Sequence, residues 1–224
     1  MGIEKVLVES LPEFVHPKHF SYSNSPKIEI AIGLESSNPV VLDKSVNKRL
    51  LWSHFVKVCE TAHENGAEVK AYVLLKPPYL GERDAIEDAV QSATDAAPYV
   101  DKISINPVNV QKNTVVEKLW FRNEWTAPWL WSVVEVLERC TDLPAKIYSD
   151  PTGGGTRRGA HNCNDCNSKI LDALKEHRLG HGNLKGLECE CRPRWEVLKH
   201  QSSYRRNGAE PHGYRRGFGN GRRF

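Results

Sequence analysis

Residues 67–107, "AEVKAYVLLKPPYLGERDAIEDAVQSATDAAPYVDKISINP", decide the fold class of this chain. Residues 67–79 predict a strand that ends at two prolines. Residues 82–97 predict a helix, whose acidic first turn suits the positive end of the helix dipole. A second strand is predicted at 99–107. Strand, helix and strand in this order predict two parallel strands joined by a crossover helix.

The same alternation continues on both sides of this unit. The further strands are predicted at 5–10, 28–36 and 145–151, and the further helices at 47–66 and 127–140. The strands read as continuously apolar, which favours a parallel sheet covered by helices. The expected fold class is therefore α/β, a partial (βα) barrel of about five parallel strands. Five strands are too few to close an eight-stranded barrel, so the first strand leaves an edge that something should cover.

The composition of the chain changes near residue 150 and predicts three regions. Residues 1–150 are expected to form the partial barrel, and residues 151–200 a small Cys-rich, metal-binding extension with a helix at 168–179. The stretch that follows this helix, through Trp195, has the character of a loop. Residues 201–224 hold six arginines and one glutamate with no regular periodicity, and are predicted to be a disordered Arg/Gly-rich tail.

Composition excludes several classes of protein. Of the 224 residues, 39% are hydrophobic and 26% are charged, which is typical of a soluble globular protein. No run of 18 apolar residues is present, so no membrane partner is expected. The N-terminus lacks the pattern of a secretory signal, and a cytoplasmic location is expected.

Six cysteines in a chain without an export signal favour reduced thiols and metal binding over disulfides. Cys59 and Cys140 fall within predicted helices and are interpreted as buried thiols. The other four form two close pairs: Cys163, Cys166, Cys189 and Cys191.

Four thiolates from two close pairs suit a structural zinc ion, because a Cys-x2-Cys turn lets two sulfurs converge on one metal. An iron–sulfur cluster and unligated thiols are the alternatives. His161 is a further possible ligand, although four thiolates already suffice. The prediction is a four-cysteine zinc site that serves as a scaffold.

Two glutamates directly follow apolar strands, Glu9 in "VESLPEFV" and Glu35 in "GLESSN". Ligands of parallel α/β proteins bind at the carboxyl ends of the strands, so both side chains are expected on the functional rim. A solvated strand-end carboxylate is the simpler interpretation of either one. Together they favour a shared ligand.

Basic residues in two places predict RNA binding. Arg157 and Arg158 lie in the glycine-rich loop "GGGTRRGAHN", where guanidinium groups suit phosphate. The tail adds arginines with aromatic residues between them: Arg205, Arg206, Arg215, Arg216, Arg222 and Arg223. This composition is typical of sequence-tolerant RNA binding, and a solubilising tail is the alternative.

Four segments carry a resemblance to a known family: "VESLPEFV", "AIGLESSNPVVLDKSVNK", "VKAYVLLKPPYL" and "SINPVNVQKNTVVEKLW". They resemble the later strands of a radical-SAM barrel, in the branch that includes the elongator catalytic subunit. Within that branch they are most similar to the radical-SAM subunit of archaeal archaeosine synthases. The resemblance covers roughly residues 3–195. It implies a role in making archaeosine in tRNA, by radical cleavage of a lysine-modified 7-deazaguanine.

The resemblance also implies cofactors and site residues. S-adenosylmethionine (SAM) and a [4Fe–4S] cluster are the expected cofactors. By position, Glu9 matches the acid near the SAM amino group, and Glu35 matches the polar residue that holds the ribose. Lys48 falls near a basic position that reaches the SAM carboxylate, although Arg49 is an alternative. Lys48 is expected to begin a helix. No catalytic residue is assigned.

The chain departs from the family pattern in one respect: no Cys-x3-Cys-x2-Cys triplet, the usual holder of the cluster, is present. The chain is therefore expected not to be competent alone. It would be a truncated gene product, or would need a second chain that carries the triplet half of the barrel. The tRNA-transglycosylase-like subunit of archaeosine synthase is another candidate partner. The main alternative is a zinc-containing RNA-binding module without catalysis, and a conventional acid–base α/β enzyme ranks last.

Overall fold

Five parallel strands form one open sheet in the computed structural model of this chain, which describes residues 2–20 and 26–204. The strands lie in sequence order: β1 (Lys5–Ser10), β2 (Lys27–Glu35), β3 (Glu68–Leu75), β4 (Lys102–Pro107) and β5 (Lys146–Ser149). Each strand pairs in parallel with the next, so every carboxyl end lies at the same edge. The predicted five-stranded parallel sheet is confirmed.

Seven α-helices connect or follow the strands in the described residues. They are α1 (Pro39–Val41, one turn), α2 (Trp52–Glu64), α3 (Glu82–Ala96), α4 (Val115–Phe121), α5 (Leu130–Arg139), α6 (Asn167–Leu179) and α7 (Arg192–Tyr204). A π-helical turn at Leu42–Val46 follows α1. No helix of residues 2–20 and 26–204 has the length and apolar character needed to cross a bilayer.

The two faces of the sheet differ in polarity. Along β3, Val69, Ala71 and Val73 are completely buried, whereas Lys70 and Tyr72 between them are only partly buried. Because successive side chains of a strand point to opposite faces, one face packs on helices and the other is polar. The prediction of continuously apolar strands is therefore wrong for β3, whose buried and partly buried residues alternate.

The Cys-rich extension packs against the sheet and its helices. α6 contacts β5 and α5, and α7 contacts α3. Ile170, Leu174 and Trp195 of the extension belong to the same buried cluster as Trp131 of α5. Residues on both sides of position 150 thus share one core, and the predicted domain boundary stays a prediction.

A buried ion pair joins the end of β3 to the extension. Lys76 Nζ lies 2.5 Å from Glu82 Oε2, and both side chains are more than 90% buried. Glu82 Oε1 accepts hydrogen bonds from the Ser132 hydroxyl (2.5 Å) and the Trp129 amide (2.8 Å). Ser132 in turn accepts a hydrogen bond from Trp195 Nε1 (2.9 Å) in α7. The charge of Glu82 is therefore fully paired where solvent is excluded.

Two local predictions differ from the structure. α7 extends from Arg192 to Tyr204: it begins inside the stretch that was expected to be a loop through Trp195, and it passes the predicted tail boundary at residue 200. Its sequence has little hydrophobic periodicity, and burial of Trp195 anchors it. The helix expected to begin near Lys48 begins at Trp52, because Asn47 adopts a left-handed conformation (φ 57°) that ends the preceding turn. Residues 205–224 lie outside the described residues.

Candidate cofactor rim and metal centre

Glu35 and Lys48 meet at the carboxyl end of β2. The pairing register shifts between Gly33 and Glu35, and Glu35 has a φ of 67°. Lys48 Nζ lies 3.2 Å from Glu35 Oε1 and also donates to the carbonyl of Gly33. Arg49, the alternative to Lys48, is exposed and makes no ion pair within the described residues. The geometry brings Lys48 to the predicted rim.

Gly33 leaves the space that this pair occupies. A Cβ atom added there would lie 2.4 Å from Glu35 Oε1 and 2.8 Å from Lys48 Nζ. Both distances are shorter than real contacts of this kind, so a side chain at residue 33 would displace the pair. A side chain at residue 33 would disturb the structure only locally, because the two atoms that would move are the ends of the flexible Glu35 and Lys48 side chains.

Glu9 lies on the polar face at the end of β1. Its Oε1 accepts a hydrogen bond of 2.7 Å from the hydroxyl of Tyr72 on β3. Burial raises the pKa of Tyr72, and the bond to Glu9 raises it further. Tyr72 is therefore a neutral donor that orients the Glu9 carboxylate. Glu9 and Glu35 have different partners, and their cofactor roles stay predictions.

Lys70 occupies the middle of the polar face, and sequence analysis missed it. Its Nζ lies 4.6 Å from the ring centroid of Tyr72 and 5.4 Å from that of Tyr148. Burial works to lower the pKa of Lys70, but the neighbouring Tyr148 and Tyr72 raise it overall. The ammonium group of Lys70, held beside two aromatic rings, can pair with an anionic group of a ligand. The alternation of polar residues at positions 68, 70 and 72 was the sequence feature that could have placed Lys70 on a polar face.

Four charged side chains cover the opposite, amino-terminal end of the polar face: Lys5, Glu29, Glu68 and Lys102. Lys102 Nζ lies 2.6 Å from Glu29 and 3.0 Å from Glu68, while Lys5 lies 2.5 Å from Glu68. Hydrogen bonds from Lys5 and Lys102 lower the pKa of Glu68 to about 2. We call this group the charged floor, because it lies at the end opposite the rim.

The segment "ESSN" after β2 is anchored to α3 by its serines. Ser36 is buried and donates to Asp88 Oδ1 (2.9 Å), and the Ser37 hydroxyl donates to Asp95 (2.6 Å). The amide of Ser37 also donates to Ser92 (2.8 Å). These bonds fix the backbone next to Glu35. The second oxygen of Asp88 is buried without a hydrogen-bond partner.

The stability of the protein is expected to depend on the ionisation of Asp88. Burial raises the pKa of Asp88 from 3.8 to about 6, against the opposing effect of the Ser36 hydrogen bond. The folded state thus binds the proton more tightly, and ionised Asp88 destabilises it by about 3 kcal/mol above pH 6. That penalty disappears as the pH falls from 7 to 4.

Chemical denaturation of Asp88→Asn should show a gain in stability over wild type at pH 7 that vanishes near pH 4. Asp142→Asn, at an exposed position, should show no such pH-dependent difference; equal pH profiles for wild type and Asp88→Asn would contradict the expectation.

The structure brings the four predicted cysteines together. Cys163 Sγ lies 3.6 Å from Cys166 Sγ and 3.4 Å from Cys189 Sγ, and Cys166 Sγ lies 3.6 Å from Cys191 Sγ. All four sulfurs lie within 4.8 Å of one another, the one such cluster of possible metal ligands in the described residues. His161 instead donates a hydrogen bond from Nδ1 to the backbone carbonyl of Gly159 (2.8 Å).

This cluster has the dimensions of a tetrahedral thiolate site. Zinc–sulfur bonds of about 2.3 Å place tetrahedral sulfurs about 3.8 Å apart, close to the observed separations. Trp131 Nε1 donates to Cys191 Sγ (3.2 Å) and Asn162 Nδ2 to Cys166 Sγ (3.5 Å), contacts that orient thiolate ligands. The residues therefore fit a bound metal ion. Cys59 and Cys140 are buried elsewhere as predicted, and burial raises the pKa of Cys59 to about 12 and that of Cys140 to about 11.

The two arginines of the glycine-rich loop have different surroundings. Arg157 is exposed, whereas Arg158 is paired with Glu117 and donates from Nε to the carbonyl of Val110 (3.0 Å). Arg157 is thus available to phosphate, and Arg158 also holds the loop to α4. Their RNA-binding role stays a prediction. The six tail arginines predicted to have the same role, Arg205, Arg206, Arg215, Arg216, Arg222 and Arg223, lie outside the described residues.

The chain is similar in sequence to archaeal proteins. It is 41% identical over 206 residues to archaeosine synthase subunit beta of Methanosarcina acetivorans and 45% identical over 196 residues to that of Thermococcus kodakarensis. These matches cover 88% and 85% of this chain but 59% and 58% of the relatives. An uncharacterised protein of Methanocaldococcus jannaschii is 32% identical over 205 residues. The chain thus spans somewhat more than half the length of these relatives.

A solved structure agrees with the fold. Elp3 of Methanocaldococcus infernus, lacking N-terminal residues 1–46, superposes with a TM-score of 0.56 at 14% identity, over 83% of this chain and 43% of that one. This likeness confirms the expected fold class. No protein-family model matches the chain. From the sequence matches, which extend over 85–88% of its length, the chain is a homologue of archaeosine synthase subunit beta.

Proposed function

We propose that this chain is the SAM-binding part of a radical-SAM enzyme that modifies tRNA, of the archaeosine-forming type. The observation that carries the proposal is the identity of 41–45% with archaeosine synthase subunit beta over most of the chain. A polar sheet face that ends in Glu9 and Glu35 supports it. The proposed reaction is cleavage of a lysine-modified 7-deazaguanine in tRNA, and a tRNA substrate would place it in the cytoplasm.

Three rim residues would hold SAM through complementary charges and hydrogen bonds. The Glu9 carboxylate, oriented by Tyr72, would pair with the amino group. Glu35 would accept hydrogen bonds from the ribose hydroxyls, and Lys48, which lies beside it, would pair with the carboxylate of SAM. Each pairing is a charge-assisted or neutral hydrogen bond of a kind common at such sites.

The cluster that supplies the electron for SAM cleavage would come from outside the described sheet. Val6, Leu7 and Val8 of β1 are 37–47% exposed, and β1 pairs only with β2 among the described residues. Exposed apolar residues on both faces of an edge strand favour continuation of the sheet by a further strand and helix. We propose that a second chain with the Cys-x3-Cys-x2-Cys triplet provides them. A subunit of the transglycosylase type is the other candidate partner, since the relatives are named as beta subunits.

SAM binding and cleavage test this proposal. The purified chain should bind SAM weakly by calorimetry. After anaerobic reconstitution with iron and sulfide, and with dithionite as the electron donor, it should form 5′-deoxyadenosine only with a chain that carries the triplet. Gly33→Ala should weaken SAM binding about tenfold, because the new methyl group displaces the Glu35–Lys48 pair. Gly2→Ala, where an added Cβ meets no atom within 4 Å, is the matched control.

Two results would contradict the proposal. One is an absence of SAM binding and cleavage with every triplet-bearing partner tested. The other is equal SAM affinity in wild type, Gly33→Ala and Glu9→Gln, which would exclude the rim as the binding site. Unchanged thermal unfolding of the variants would show that the comparison concerns folded proteins.

A second candidate is a zinc-containing RNA-binding module without catalysis. The geometry of the four cysteines favours it, because a closed thiolate site is typical of structural zinc and leaves no position for a substrate. We propose zinc as the metal in either case. Zinc content near one ion per chain and tight tRNA binding, with no SAM binding under any pairing, would favour this module over the enzyme.

A further inference from the structure

The surface of α4 exposes an aromatic side chain among basic residues. Phe121 is 68% exposed, and its ring centroid lies 5.1 Å from that of Trp120. Lys118 and Arg122 flank it, are exposed, and make no ion pair within the described residues. Phe121 and its neighbour Trp120 thus form a pair of aromatic rings beside two cations on the surface.

The glycine-rich loop completes this surface. The guanidinium carbons of Arg157 and Arg158 lie 5.9 and 5.2 Å from the ring centroid of Trp120. Arg158 is also fixed by Glu117, so the arginine layer over the tryptophan is held in place. We call the surface formed by Lys118, Trp120, Phe121, Arg122 and Arg157 the aromatic platform.

The aromatic platform rests on a rigid base. Val110, Trp125 and Ala127 form a small buried cluster beneath α4, separate from the main core. Thr114 caps α4 by accepting a hydrogen bond from the amide of Glu117 (3.1 Å). The amide of Val110 donates to the carbonyl of Arg158 (2.7 Å), which ties the loop to this unit. Ligand binding would therefore require little ordering of the protein.

The charge and position of the platform indicate its ligand. Residues 112–124 and the two loop arginines contain five basic and two acidic side chains, which favours an anion. α4 follows β4 and the loop follows β5, so both lie at the same sheet edge as Glu9 and Glu35. Aromatic faces combined with Arg and Lys are the means by which proteins hold unpaired bases and the phosphates between them.

We propose that the aromatic platform binds an unpaired segment of RNA, with one base stacked on Phe121 and adjacent phosphates paired with Lys118, Arg122 and Arg157. The inference rests on the proposed tRNA substrate and names where on the chain that substrate is held. A base stacked here would lie on the side of the sheet where the cofactor rim is found.

Replacement of the exposed ring tests the platform. Phe121→Ala should weaken binding of a tRNA transcript to the purified chain about 5- to 150-fold by fluorescence anisotropy, the range typical of one stacked base. Phe121→Tyr should retain near wild-type affinity, because it keeps the ring. Phe14→Ala removes a ring that is 61% exposed elsewhere and should leave affinity unchanged.

The salt dependence of RNA affinity, and the preference for single-stranded over duplex RNA, provide the second measurement. Lys118→Gln with Arg122→Gln should reduce the slope of log affinity against log salt by about 1.4, as two lost phosphate contacts to a single strand would. A single-stranded RNA of about ten nucleotides should compete better than a duplex of the same sequence. Wild-type protein that binds no RNA would overturn the proposed tRNA substrate. Wild-type binding with Phe121→Ala equal to Phe14→Ala would overturn the platform alone.

Discussion

Cys166→Ser is expected to abolish metal binding at the cysteine cluster and to lower the free energy of unfolding by several kcal/mol. Cys166 is 2% exposed, and its sulfur is within 3.6 Å of both Cys163 and Cys191. Binding of structural zinc contributes about 10–16 kcal/mol in isolated zinc fingers, and a fraction of that is expected here because α6 and α7 also have apolar contacts. A loss of about 5 kcal/mol corresponds to a fall in melting temperature of about 10–20 °C.

Metal analysis and thermal unfolding check this result. Wild type should contain one metal ion per chain and should melt at a lower temperature after chelation, whereas Cys166→Ser should contain none and should not respond to chelator. Cys140→Ala, which removes a buried thiol outside the quartet, should keep the metal. Full metal content in Cys166→Ser, or a wild-type melting temperature that chelation leaves unchanged, would contradict the assigned role.

Lys76→Met is expected to destabilise the protein by about 3–5 kcal/mol, since it leaves the Glu82 carboxylate buried without its counter-charge. Methionine keeps an unbranched side chain that is only one atom shorter than lysine, so lost packing contributes little. The remaining donors, Ser132 and the Trp129 amide, do not neutralise the charge. Urea denaturation measures the effect, and the double variant Lys76→Met/Glu82→Gln should recover part of the loss.

An exposed ion pair between α3 and α5 provides the control. Arg139 pairs with Glu87 through two hydrogen bonds of 2.8 Å, but Glu87 is 55% exposed. Glu87→Gln should therefore cost less than about 1 kcal/mol. If Lys76→Met proves as mild as Glu87→Gln, or if the double variant shows no recovery, the buried pair does not stabilise the junction with α7.

The strands and the cysteine site were predictable because local sequence specifies them. Prolines 77 and 78 end β3, and a two-residue spacing lets Cys163 and Cys166 point at one metal. The convergence of the second pair, Cys189 and Cys191, followed from the chemistry of four thiolates. None of these features depends on the pairing of distant strands.

Other features depend on tertiary structure and were missed. Lys70 lies between Tyr72 and Tyr148 only because β3, β4 and β5 pair in one register, which composition does not reveal. α7 is stabilised by burial of Trp195 rather than by periodicity, so its sequence resembles a loop. The ion pair of Arg158 with Glu117 joins residues 41 positions apart, and a basic loop alone gives no sign of it.

The charged floor and the polar face have a consequence for how a complete barrel would assemble. An open half-barrel lined with hydrocarbon would aggregate before its other half arrived, whereas Lys5, Glu29, Glu68 and Lys102 keep this face hydrated. Closure would remove water from these charges, which opposes association. The free energy that favours association would then come from burial of the apolar side chains of β1. The interior would stay hydrated, so a polar cofactor could still enter after the two chains associate.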